Sequence, residues 1–101
     1  MSENLINLVK TIRDRKNKSG EESYTSLLLS SGLSKCIDKM EEEFSELKEA
    51  LNDKSNVVHE AADTIYHILV VLEAADIKFE DVLKELEDRK KQSGIEEKNS
   101  R

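Results

Sequence analysis

Val57-Val58-His59-Glu60-Ala61-Ala62-Asp63-Thr64-Ile65-Tyr66-His67-Ile68-Leu69-Val70-Val71-Leu72-Glu73-Ala74-Ala75 sets the architecture of this chain. Its apolar residues, from Val57 and Val58 to Ala74 and Ala75, cover most of a helical circumference with no Pro or Gly to interrupt them. A helix apolar on nearly every side belongs in the middle of a protein, enclosed by others. The stretch predicts a buried central helix over 57–75, and the rest of the chain is expected to cover it.

The flanking segments supply such covers. Leu33, Ile37, Met40, Phe44, Leu47 and Leu51 alternate four and three apart. That is the seam of antiparallel helix packing, and it predicts a helix from Leu33 to Asn52-Asp53. Leu5, Leu8, Val9 and Ile12 mark an amphipathic helix over 3–17. Lys18 to Ser23 reads as a loop by its Ser and Gly content. A short helical turn, Tyr24 to Ser30, follows and stops at Ser31-Gly32, where Gly suits a left-handed cap. After a loop at 52–56 and the central helix, Val82, Leu83 and Leu86 mark a last helix over 80–91. The polar stretch 93–101 is expected to be a disordered tail. The expectation is an all-α fold: a small antiparallel bundle of four to five helices in one domain, residues 1–92.

Composition narrows the function. The chain has 101 residues, with 16 Lys plus Arg against 22 Asp plus Glu, for a net charge of −6. That balance argues against a nucleic-acid partner, which calls for a basic patch. The longest apolar run, Ile68 to Leu72, is far short of the ~20 residues that span a bilayer, so no membrane association is expected. Met1-Ser2-Glu3-Asn4 has neither the basic stretch nor the apolar segment of a secretory leader. One cysteine, Cys36, excludes an internal disulfide, fits a reducing cytoplasm and falls on the apolar stripe as a core residue. With no Pro, 3 Gly and no Trp, hairpin chemistry is scarce and an all-β fold is argued against. The core must be aliphatic, and at this size a second copy of the chain is expected to complete it as a homodimer or higher homo-oligomer.

Two groups of acids do not fit a plain bundle. On the 33–53 helix, Glu43 borders the apolar stripe and Glu46 follows at i+3; Glu42 lies farther round the same flank, with Lys35 and Lys39 earlier on it. Glu41 and Glu49 point elsewhere. On the central helix, Glu60, Asp63 and His67 form one polar stripe at i, i+3 and i+7. Neither acid there has a Lys or Arg at i+3 or i+4. A buried, unpaired carboxylate costs several kcal/mol, so something outside the helix should compensate. Packed antiparallel, the two helices can bring Glu43, Glu46, Glu60 and Asp63 together. Such a cluster either protonates in part or binds cations. Oxygen ligands favour Mg²⁺, Mn²⁺ or Ca²⁺ over Zn²⁺, and Mg²⁺ favours a phosphate-bearing substrate. The alternatives are a solvated acidic face for Glu41-Glu42-Glu43 and an inter-helix ion pair with Lys for Glu60 and Asp63. His67 reads as a structural hydrogen-bonding residue, with assistance to catalysis as the alternative, and Tyr66 as packing at the core edge rather than a ligand contact.

The order Glu42-Glu43-x-x-Glu46 followed by Glu60-x-x-Asp63 resembles the EExxE…ExxD signature of the all-α nucleotide pyrophosphohydrolases, the MazG-like superfamily. Ser23-Tyr24-Thr25-Ser26-Leu27-Leu28, Lys35 with Lys39-Met40-Glu41-Glu42-Glu43, and the run from Glu60 to Leu72 resemble segments of its phosphoribosyl-ATP pyrophosphohydrolase branch. So do Ile12-Arg13-Asp14-Arg15-Lys16 and Glu80-Asp81-Val82-Leu83 with Leu86 and Arg89. The resemblance implies a MazG-like bundle completed by dimerisation. It implies hydrolysis of phosphoribosyl-ATP to phosphoribosyl-AMP and pyrophosphate, the second step of histidine biosynthesis, with Mg²⁺ or Mn²⁺. It also implies Glu43, Glu46, Glu60 and Asp63 as metal ligands. Glu42 or Glu46 is then expected to take the proton from water, and Lys35, Lys39, Arg89 or Arg13 to offset phosphate charge. Glu41 stands where the family commonly has Gly, and Phe44 where it has a small residue; Phe44 is expected to repack the core. A housekeeping pyrophosphohydrolase of noncanonical nucleoside triphosphates and a non-catalytic helical interaction module are the other readings.

Overall fold

The computed structural model describes residues 2–18 and 23–90. Five helices follow one another: α1 Ser2–Arg15, α2 Tyr24–Ser30, α3 Leu33–Asp53, α4 Val57–Ala74 and α5 Phe79–Arg89. No strand occurs among the described residues, and the all-α expectation holds with helix bounds within two residues of those expected. The expected tail, 93–101, lies outside the described residues, as does 19–22 of the first loop. No described helix is long and apolar enough to cross a membrane.

Local chemistry explains the breaks. Ser23 caps α2 by accepting a hydrogen bond from the Ser26 amide at 3.0 Å. Ser26 in turn donates to the Arg15 carbonyl at 3.1 Å, fastening α2 to the end of α1. Gly32 joins α2 to α3 at φ 94° and ψ 164°. The positive φ needs glycine, but the extended ψ makes a kink rather than the expected left-handed cap. Lys54 and Asn56 both take left-handed backbone to turn α3 into α4.

The core is a cluster of Val9, Ile12, Leu28, Cys36, Leu69 and Val70. Each of α1 to α4 contributes to it, and Leu69 and Val70 come from the second half of α4. Cys36 is buried as expected, its thiol donating to the Leu28 carbonyl at 3.2 Å.

Two expectations about the helix faces are corrected. The first half of α4 is not enclosed: Val58 is 84% exposed and Ile65 52% exposed, because α1 and α2 shelter only the later turns. On α3 the buried positions are Cys36, Glu43 and Ala50, seven apart. The apolar stripe lies beside this line rather than on it. Leu33, Phe44 and Leu51 are exposed, so Phe44 does not repack the core.

An ion-pair cluster ties α1 to the far end of α4. Arg13 donates to Glu80 at 2.9 and 3.2 Å and lies 3.5 Å from Glu73, while Lys16 pairs with Asp76 and with Glu73 at 3.7 Å. The Arg13 guanidinium holds the Glu80 carboxyl down at about 2, against an ordinary 4.5. A depressed carboxylate stabilises the fold above its unfolded pKa and stops doing so as pH falls through the folded one. Acid unfolding followed by circular dichroism should therefore show a loss of stability between pH about 4.5 and about 2 that Glu80→Gln lacks.

Candidate metal centre

α3 and α4 form an antiparallel hairpin that carries all of the acids singled out by the sequence. Thr64, buried in α4, sets the local spacing. Its hydroxyl donates to the Glu60 carbonyl at 2.8 Å and lies 3.3 Å from the Glu43 carbonyl of α3. That contact holds the Glu60 turn of α4 against the Glu43 turn of α3. Carboxylate oxygens of Glu43, Glu46 and Glu60 then come within 4.8 Å of one another.

Asp63 stands one turn further along. Its oxygens group with Glu60 and His59 rather than with Glu43 and Glu46, and His59 Nε2 lies 3.2 Å from Asp63 Oδ2. His59 was missed in the sequence, although its i, i+4 spacing to Asp63 was there to be seen. No lysine pairs with Glu60 or Asp63 among the described residues, which leaves the ion-pair alternative without a partner.

The electrostatics are those of a site short of positive charge. Glu43 is only 7% exposed. Burial, aided by the neighbouring Glu46 carboxylate, pushes its pKa up to about 7. Burial and Glu46 also push Glu60 up. Glu43 Oε2 and Glu60 Oε2 are buried without a hydrogen-bond partner. Orphaned carboxylate oxygens from two helices, all hard donors, fit a divalent cation such as Mg²⁺.

Behind Glu43 lies His67, whose Nε2 is 3.8 Å from Glu43 Oε1. It is buried, as a structural reading expects, and burial pushes its pKa down. The rings of Tyr66 and Tyr24 meet it edge-on with centroids 5.0 and 6.2 Å away. Tyr66 also shares a hydrogen bond with Thr25 and packs against the core.

The remaining candidates divide. Glu42 is exposed beside the cluster and accepts from Lys39 Nζ at 3.3 Å. Lys35 and Lys39 line a groove with Glu42 on the α2 side of α3. Arg13 is held at Glu73, thirteen residues from Glu60 and so about 20 Å along α4. Arg89 pairs with Glu85 within α5 at 3.1 Å. Within one copy of the chain, Arg13 is therefore held away from Glu60, and Arg89 is paired on its own helix.

Comparison with known proteins gives the family. Residues 5–90 match the family model for phosphoribosyl-ATP pyrophosphohydrolase. The chain is 44% identical over 99 residues to a phosphoribosyl-ATP pyrophosphatase of Paracoccus denitrificans, covering 96% of this chain and 92% of the relative. It is 45% identical over 96 residues to one of Roseobacter denitrificans, covering 93% and 91%. One of Rhizobium etli is 41% identical over 99 residues, covering 96% and 92%. With a match over nearly its whole length, the chain belongs to the phosphoribosyl-ATP pyrophosphohydrolase family.

Proposed function

We propose that this protein hydrolyses phosphoribosyl-ATP to phosphoribosyl-AMP and pyrophosphate, the second step of histidine biosynthesis, at a Mg²⁺ site built from Glu43, Glu46, Glu60 and Asp63. The observation that carries the reading is the trio Glu43, Glu46 and Glu60, with oxygens within 4.8 Å and two of them orphaned, in a member of this family. When bound there, Mg²⁺ or Mn²⁺ supplies positive charge against the triphosphate. Glu43 and Glu60 would hold it from two helices that Thr64 keeps in register, and Asp63 is steadied by His59. Glu42 is tethered through one oxygen by Lys39 and keeps Oε1 for the proton of the attacking water. Glu46 is the second proton acceptor within reach of the cluster. Lys39, one turn before Glu43, meets the phosphates.

The test is pyrophosphate release from phosphoribosyl-ATP with and without Mg²⁺. Turnover that depends on Mg²⁺, with a Tm that climbs as Mg²⁺ is added, is the expected result. Release from dUTP but not from phosphoribosyl-ATP would assign the same site to a housekeeping enzyme.

The same reading includes a homodimer or higher homo-oligomer in the cytoplasm. Support for the oligomer is the exposure of the large apolar side chains Phe44 and Leu51 of α3 and Val58 and Ile65 of α4 among the described residues. Each large apolar side chain buried there contributes about 1.5–3 kcal/mol. Ile65→Glu should convert a dimer into monomer in sedimentation velocity, with the helical content of the monomer retained.

A further inference from the structure

A groove of about 620 Å³ runs between α2 and the first half of α3, beside the acid cluster. Its volume suits a nucleotide-sized ligand. Tyr24 and Leu27 form an apolar wall, and Lys35, Asp38, Lys39 and Glu42 form the polar one. Asp38 and Glu42 balance the two lysines in formal charge, but only Lys39 and Glu42 are paired. Tyr24 and Leu27 are both 51% exposed, although Leu28 next to them is buried in the core. At one end the groove meets the acids, through Glu42 and through the Tyr24 ring that stands against His67. Lys35 stands at the other end, eight residues before Glu43 and about 12 Å along α3. Lys39 is engaged by Glu42, whereas Lys35 has no partner among the described residues.

The substrate of the proposed reaction, on which this inference rests, is anionic at two ends. A triphosphate lies at one end and a ribose 5-phosphate, attached to the purine, at the other. The groove offers groups for each part: acids at one end, an apolar wall along one side and an unpaired cation at the other end.

We propose that the groove takes the phosphoribosyl-purine half of the substrate, with Tyr24 and Leu27 against the purine and Lys35 on the ribose 5-phosphate, so that Lys35 separates phosphoribosyl-ATP from ATP. The test uses Lys35→Met, which removes an exposed charge and leaves no buried group unpaired. Hydrolysis of phosphoribosyl-ATP is inhibited with phosphoribosyl-AMP and, separately, with AMP. In Lys35→Met, inhibition by phosphoribosyl-AMP weakens about tenfold or more while inhibition by AMP keeps its strength. KM for phosphoribosyl-ATP rises by more than kcat falls. Tyr24→Ala weakens both inhibitors, and Tyr24→Phe restores both. If Lys35→Met weakens both inhibitors alike, or neither, the assignment of Lys35 is wrong while the hydrolytic reading stands. A wild-type chain that leaves phosphoribosyl-ATP intact overturns that reading and this assignment with it.

Discussion

Glu60→Gln lowers pyrophosphate release from phosphoribosyl-ATP by about two to three orders of magnitude and removes most of the Tm gain that Mg²⁺ confers. Glu60 is the one residue common to both carboxylate groups, with Glu43 and Glu46 on one side and His59 and Asp63 on the other. Its Oε2 is buried and unpartnered. Glutamine keeps the size and the helix but removes the charge a divalent ion requires. The two readouts are a coupled pyrophosphate assay and thermal melts over a Mg²⁺ series. A variant with wild-type turnover and a wild-type response to Mg²⁺ would remove Glu60 from the site.

Glu43→Gln is expected to make the metal-free protein more stable while costing most of its activity. Burial raises the Glu43 pKa from an ordinary 4.5 to about 7. For a carboxyl group the sign is then unfavourable at high pH. Below about 4.5 the group is protonated in both states and costs nothing; from there to about 7 the unfolded chain ionises it more readily, and stability falls. Above that range the penalty is complete. A glutamine carries no such penalty but leaves an amide to satisfy, so a net gain on the order of 1 kcal/mol is expected at pH 8. Urea unfolding in a chelator, at pH 5 and pH 8, should show the variant pulling ahead only at the higher pH. Equal pH dependence in both proteins would show that Glu43 is not strained by its burial.

The helices were legible because their punctuation is local. Ser23, Gly32 and the turn at Lys54 to Asn56 are readable without knowledge of the rest of the chain. What covers a helix is a different matter. Val58 and Ile65 are as apolar as Leu69 and Val70, yet only the latter pair meets α1 and α2. Hydrophobic spacing states which residues seek shelter and says nothing of what supplies it. The same limit hid the buried line of α3, where Glu43 sits between Cys36 and Ala50 and the conspicuous stripe lies alongside.

At the acids, i+3 spacing on two antiparallel helices was enough to group Glu43, Glu46 and Glu60. The shift of Asp63 toward His59 follows from side-chain reach along one helix, which the search for Lys and Arg partners passed over. Thr64 was hidden for another reason. A threonine inside an apolar helix reads as a small core residue until the carbonyl across the hairpin is known. The distance of Arg13 from the acids depends on where α1 crosses α4, which no local pattern encodes.

The charged knot of Arg13, Lys16, Glu73, Asp76 and Glu80 sits at the opposite end of α4 from Glu60. That separation gives a protein engineer two independent dials on one rod. Substitutions in the knot are expected to act on thermal stability and those around Glu60 on turnover, so the two can be varied separately.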